Sequence, residues 1–171
     1  MNKFLLVSDQ SNYDIKVPKS IKKEFFQLDD TFLLTDLEDG LSMVRKIGKN
    51  DSFIYSNEWR YVQNGERIQK KKQITAREYI ELLEMRDKSK KQVRKIRQCF
   101  IYERQYFMVE SFMNVDGSPS ILRIETTGEA QKISIPPFVE VLKEVSDAKL
   151  YDTITMADLS YKMAEADKAQ I

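Results

Sequence analysis

Ionisable and other polar side chains recur at every second position in several segments between Glu24 and Glu125. Successive side chains of a β-strand point to opposite faces, so residues two apart lie on one face. The sets of equal parity are Gln27, Asp29 and Thr31; Arg67, Gln69 and Lys71; Lys95 and Arg97; and Arg123 and Glu125. An antiparallel sheet with one face in water explains this pattern. A sheet curled around a polar interior explains it equally well.

Turn-forming residues divide this region into strands. Asn64-Gly65 lies between two strand-like segments and is the strongest short hairpin signal in the chain. We predict strands over residues 24–34, 41–48, 52–57, 59–63, 66–74, 93–103, 105–113 and 120–127.

Three helices are predicted beside these strands. Thr75 and Glu78 match a capping box, which begins a helix that extends to about residue 90. Pro136-Pro137 precedes a short helix over residues 138–145, because proline is tolerated in a first turn. A third helix begins near Thr155.

These elements predict an α+β fold, an eight-stranded antiparallel β-barrel with flanking helices. We divide the chain into an N-terminal arm or connector (1–23), the barrel (24–154) and a C-terminal helix (155–171). Barrel closure is favoured because charges of one parity recur in many strands, which an open sheet with a dry face does not require.

Composition limits the classes of function. The chain has 171 residues, 42% of them hydrophobic, and a net charge of +1, so we expect one domain and no nucleic-acid partner. Histidine is absent, which excludes imidazole as a general base or zinc ligand. The single Cys99 excludes an internal disulfide, and no apolar run is long enough for a transmembrane segment. We therefore expect a cytoplasmic location, in the cytosol or peripheral to the cytoskeleton or a membrane.

The order of elements resembles the CYTH superfamily, the triphosphate-tunnel fold, in which eight antiparallel strands close a barrel around a charged tunnel. That family opens on a Glu-x-Glu-x-Lys strand, whose positions we match to Gln27, Asp29 and Thr31. The remaining matches, in chain order, are Met43 and Arg45; Arg67, Gln69 and Lys71; Lys95 and Arg97; Glu110; and Arg123 and Glu125. Among the branches of the superfamily, the chain is most similar to the C-terminal domain of the TRP-translocation-defect proteins.

The resemblance implies a triphosphatase in which acids hold a catalytic metal, but several motif positions differ here. Asp29 and Glu125 are retained acids, whereas Lys71 and Arg123 place positive charge where the family has negative charge. Unit charges 4 Å apart interact by about 4 kcal/mol at an effective dielectric of ~20, which opposes metal binding at the reversed positions. We therefore predict no catalytic residues, no metal and no cofactor.

The basic positions of the family pattern are better retained. A guanidinium can donate paired hydrogen bonds to phosphate oxygens, so these cations form a predicted anion site. Its residues are Arg45, Arg67, Lys95, Arg97, Lys71 and Arg123, and the residual acidic positions are Asp29, Glu110 and Glu125. The same charges could instead pair with one another in a structural ion-pair lattice, since buried charges require partners.

From the resemblance and its departures we expect a barrel without enzymatic activity that acts as a binding or scaffold module. Its ligand would be a phosphorylated anion such as a nucleotide, polyphosphate or phosphoinositide headgroup. Protein partners would contact the N-terminal arm and the C-terminal helix. The alternative is a metal-dependent triphosphatase of the CYTH type, with Mg or Mn held by a reduced set of ligands, Asp29, Glu110 and Glu125.

Overall fold

The structure is a computed structural model that describes residues 2–8, 13–125 and 133–171. Its strands are β1 (Asn2–Val7), β2 (Lys23–Leu33), β3 (Leu41–Lys49), β4 (Ser52–Gln63), β5 (Glu66–Ile74), β6 (Val93–Tyr102), β7 (Gln105–Phe112), β8 (Ser120–Glu125) and β9 (Val141–Glu144). Its helices are α1 (Ala76–Leu83), α2 (Thr153–Met156) and α3 (Glu165–Lys168), and a 3-10 turn spans Lys149–Tyr151.

The nine strands of the described residues form one antiparallel sheet in the order β5-β4-β3-β2-β6-β7-β8-β1-β9. The predicted antiparallel sheet is confirmed. The predicted closure with eight strands is wrong, because β5 and β9 are opposite edges of the sheet and do not pair with each other. Side chains from β1 to β8 nevertheless line one cavity, so the sheet curves around a common interior.

The N-terminal segment is part of the sheet. We predicted an arm over residues 1–23, but Asn2–Val7 forms β1, which pairs with β8 on one side and β9 on the other. Leu5, Leu6 and Val7 are buried, so apolar side chains from both faces of this strand are covered. A short continuous apolar run is typical of a strand buried on both faces, which explains why no alternating pattern marked it.

Other predicted boundaries also change. The strands predicted over 52–57 and 59–63 are one continuous strand, β4, and the helix predicted over 138–145 is replaced by a turn and β9. The capping box of α1 is confirmed, but that helix ends at Leu83. The predicted C-terminal helix is two helices of four residues each, α2 and α3. The end of the strand predicted over 120–127 lies outside the described residues.

Apolar side chains pack on both faces of the sheet. Inside the curve, Phe32, Met43 and Phe112 pack with Tyr151 and Met156 from the C-terminal region. Outside it, one cluster lies over β6, β7 and β8, and another lies beneath α1. The Asn64-Gly65 hairpin is confirmed, with φ of 51° and 77° at its two residues. No helix among the described residues has the length and apolar character needed to cross a membrane.

Candidate active site

A cavity of about 590 Å³ lies on the concave side of the sheet. All six residues predicted to bind an anion line it: Arg45, Arg67, Lys71, Lys95, Arg97 and Arg123. Glu110 and Glu125, two of the three predicted acidic positions, line it as well. The structure therefore brings these side chains to one interior, and their role as anion ligands stays a prediction.

The prediction that Asp29, the third acid, faces the interior is wrong, because Asp29 is not among the residues that line the cavity. Asp30 lines it instead and is fully buried. A shift of one residue exchanges the two faces of a strand, so Gln27 and Thr31 also lie on the face opposite Asp30. The residues of β2 predicted to face the interior were therefore chosen with the wrong parity. Phe26, Leu28 and Phe32 share the parity of Asp30, and this apolar alternation was the available signal.

Two charged residues of β4, Glu58 and Arg60, also line the cavity and were missed. The predicted break between two strands falls at Glu58, so the sequence pattern did not place Glu58 and Arg60 on the same face of one strand. The continuous strand Ser52–Gln63 places both on the concave face. Asp152, in the turn before α2, is a further lining acid without a strand pattern to reveal it.

The inner part of the cavity contains a connected set of ion pairs. Arg45 donates to both carboxylate oxygens of Asp30, through Nε at 2.6 Å and Nη2 at 2.9 Å. Lys95 Nζ lies 2.8 Å from an oxygen of Asp30 and 2.8 Å from an oxygen of Glu110. Arg97 donates from Nε to the other oxygen of Glu110 at 3.0 Å. The ion-pair lattice that the sequence left open as an alternative is thus present in this part of the site.

Strand register explains these contacts. Asp30 is directly opposite Arg45 across β2 and β3, and Arg97 is directly opposite Glu110 across β6 and β7. Lys95 is opposite Leu28 on one side and Phe112 on the other, so both acids are its diagonal neighbours two residues away. Diagonal positions in a sheet are about 7–8 Å apart, within reach of a long lysine side chain.

The ion pairs keep the buried acids charged. Burial alone raises the pKa of Asp30, but the positive charges of Lys95 and Arg45 outweigh it and hold the pKa below its ordinary value. Burial likewise opposes ionisation of Glu110, yet Lys95, Arg97 and Arg45 lower its pKa strongly. Burial disfavours the charge of Arg45, but Asp30 raises the pKa of its guanidinium overall.

The outer part of the cavity has cations with little or no neutralisation. Arg60 and Arg67 line it and form no ion pair with any residue that the structure describes. Lys71 lies 3.6 Å from Glu58, and Arg123 lies 3.4 Å from Glu125. The Nε of Arg123 is buried and has no hydrogen-bond partner in the described part of the chain. These groups can donate hydrogen bonds to an anion that enters the cavity.

The carboxylates that line the cavity in the described ranges are not grouped as a set of metal ligands. Magnesium and manganese prefer oxygen ligands in a compact set. Among the described residues, no three acidic or cysteine side chains are grouped so as to hold a metal ion. Asp30 and Glu110 are bound closely by cations, the ion pairs of Glu58 and Glu125 are 3.4 Å or longer, and Asp152 has no ion pair with any described residue. The reduced ligand set of Asp29, Glu110 and Glu125 is therefore not assembled.

Comparison with solved structures places this architecture among known folds. The inorganic triphosphatase NE1496 matches with a TM-score of 0.61 and 19% identity, over 92% of this chain and 96% of that one. The chain has the triphosphate-tunnel fold. HpAC1 from Hippeastrum, an adenylyl cyclase by name with a dominant triphosphatase activity, matches with a TM-score of 0.51 and 13% identity, over 74% and 79% of the two chains. The PH1819 protein from Pyrococcus horikoshii OT3 matches with a TM-score of 0.52 and 14% identity, over 75% and 80%.

No family model and no curated protein sequence matches the chain. The proteins that share the tunnel fold correct the prediction that the chain has no enzymatic activity, because two of them are named for triphosphatase activity. They give no support to a special closeness to the TRP-translocation-defect proteins.

Proposed function

We propose that this chain is a triphosphatase that cleaves inorganic triphosphate inside the curved sheet. The observation that carries the proposal is the charge of the cavity. Among the described residues that line it, seven Lys and Arg face five Asp and Glu, a surplus of two positive charges. The surplus lies in the outer part, where Arg60 and Arg67 form no ion pair with the described residues. The names of proteins with the same fold support triphosphate as the substrate.

The chemistry follows from positioning and charge. Water attacks the terminal phosphorus, the bond from phosphorus to the bridging oxygen breaks, and orthophosphate and diphosphate leave. Phosphoryl transfer depends mainly on orientation and on neutralising the equatorial oxygens, which arginines do by bidentate hydrogen bonds. Arg60, Arg67 and Arg123 line the cavity from three strands and are the groups we assign to this role.

Glu125 is the carboxylate that we assign to accept a proton from the attacking water. It lines the cavity, its side chain is 53% exposed, and its ion pair with Arg123 is 3.4 Å long. It is therefore less constrained than Asp30 or Glu110, which hold buried cations. A divalent ion enters as part of a magnesium triphosphate substrate, because magnesium is commonly held by substrate phosphates.

The test is phosphate release from inorganic triphosphate by the purified chain, measured with and without magnesium or manganese. We expect release by the wild type and a fall in kcat/KM of about 10- to 100-fold in Arg67→Ala, which removes a donor to the phosphates. The matched control is Lys70→Ala, a cation of the same strand that does not line the cavity, and it should keep wild-type activity.

Two further results decide the proposal. Glu125→Gln should lower kcat while it leaves triphosphate binding nearly unchanged, because it removes a proton acceptor and no phosphate donor. Absence of phosphate release from triphosphate by the folded wild type, with or without a divalent ion, would contradict the proposal.

A further inference from the structure

The inner part of the cavity contains a cation that belongs to the protein. Lys95 is 1% exposed, and its ammonium lies 2.8 Å from a carboxylate oxygen of both Asp30 and Glu110. These acids come from β2 and β7, the two strands that flank β6 in the sheet. Two carboxylates from separate strands thus converge on one positive centre, which is an arrangement that also suits a metal ion.

The charges around this centre balance. Asp30 is bound by Arg45 through two hydrogen bonds, and Glu110 is bound by Arg97. Glu58 adds a third carboxylate, 3.7 Å from Arg45. Three cations therefore face three acids, and a divalent ion would enter a cluster that is already neutral. Both oxygen atoms of Asp30 and both of Glu110 already contact cations, which leaves poor ligation for a metal.

We propose that the Lys95 ammonium occupies the position at which Asp30 and Glu110 would otherwise bind a divalent metal ion. The chain then has no metal of its own. The inference rests on one part of the proposed function, namely that divalent ions reach the outer part of the cavity bound to triphosphate. Lys95 acts as a positioning residue, because it holds two acidic strands together and sets the charge next to the phosphates.

The test is direct titration of the metal-depleted full chain with Mn²⁺ in the absence of any phosphate compound. We expect the wild type to bind no Mn²⁺ below about 1 mM, and Lys95→Met to gain one site at least about tenfold tighter. Methionine is unbranched like lysine, but it lacks the terminal ammonium and its charge, so the two carboxylates can approach a metal at roughly 2.0–2.6 Å. Mn²⁺ should then raise the melting temperature of Lys95→Met and leave that of the wild type unchanged.

Two controls locate the new site. Lys71→Met removes a lysine of the same cavity whose contact with Glu58 is 3.6 Å, and it should gain no Mn²⁺ site. The double variant Lys95→Met, Glu110→Gln lacks one of the two ligands and should lose the gain.

Stoichiometric Mn²⁺ binding by the wild type would overturn the proposal, and so would a folded Lys95→Met that gains no affinity. If Lys95→Met does not fold, the wild-type titration still decides. The titration contains no triphosphate, so a chain that fails to hydrolyse triphosphate leaves this inference standing, and a chain with both activity and a resident metal refutes only this inference.

Discussion

At the scale of single residues, two neighbouring acids show how strongly a strand separates its faces. Asp30 is fully buried in the cavity, between Arg45 and Lys95. Asp29 is on the opposite face and is not among the lining residues. Identical side chains one position apart therefore differ in burial and in charge partners, which makes them a matched pair for mutation.

We predict that Asp30→Asn lowers the free energy of unfolding by about 3–5 kcal/mol, because it leaves two buried cations with one acceptor fewer. Asp29→Asn should cost less than about 1 kcal/mol, as for most substitutions without a buried partner. Chemical denaturation of both variants at neutral pH measures the difference. Equal losses would show that the two faces of β2 are not separated as described.

Most cavity residues could be predicted from the sequence because charged residues two apart in a strand lie on the same face. Arg67, Lys95 and Arg97 were placed on one interior surface for this reason. Asp30 was missed because two acids are adjacent in β2, so charge alone did not choose the face. Its neighbours Leu28 and Phe32 are both nearly fully buried, and their shared parity was the better guide.

At the scale of elements, local signals predicted starts and turns better than ends. Helix α1 begins at a capping box, in which Thr75 Oγ1 accepts from Glu78 N at 3.1 Å and Glu78 Oε2 accepts from Thr75 N at 2.8 Å. Its end at Leu83 has no glycine to mark it. The edge strand β9 was predicted as a helix because its pairing with β1 depends on residues more than 130 positions away.

We expect Thr75→Ala to lower the free energy of unfolding by about 1 kcal/mol, the usual cost of losing an N-cap hydroxyl. Thr75→Ser keeps the hydroxyl and should remain near the wild type. The phosphate release that we propose for this chain should be unaffected in both variants, because α1 packs on the convex side, away from the cavity. Thermal or urea unfolding measures the effect, and an equal loss in both variants would mean that the cap is not its cause.

At the scale of the whole molecule, the sheet joins two charge environments in one interior. The inner part is neutral and buried, whereas the outer part has cations available to an anion. Sequence alone predicted the charges but not this division, because it depends on which acid each cation reaches across the sheet. Local sequence patterns likewise could not predict that the sheet stays open between β5 and β9, since the pairing of distant strands is set by tertiary packing.

The inner cluster also predicts how the stability of the molecule depends on pH. The pKa values of Asp30 and Glu110 are held below their ordinary values of 3.8 and 4.5, so folding favours their charged forms. Their contribution is complete above about pH 4.5 and is lost as the pH falls through the folded-state values below it. We therefore expect the unfolding free energy of the wild type to fall more steeply below about pH 4.5 than that of Asp30→Asn, which is less stable at neutral pH but lacks one of the titrating groups.

Urea titrations across this range measure both slopes, with Asp29→Asn as the control that keeps the wild-type slope. Identical slopes in wild type and Asp30→Asn would mean that Asp30 is not held in its charged form by Lys95 and Arg45.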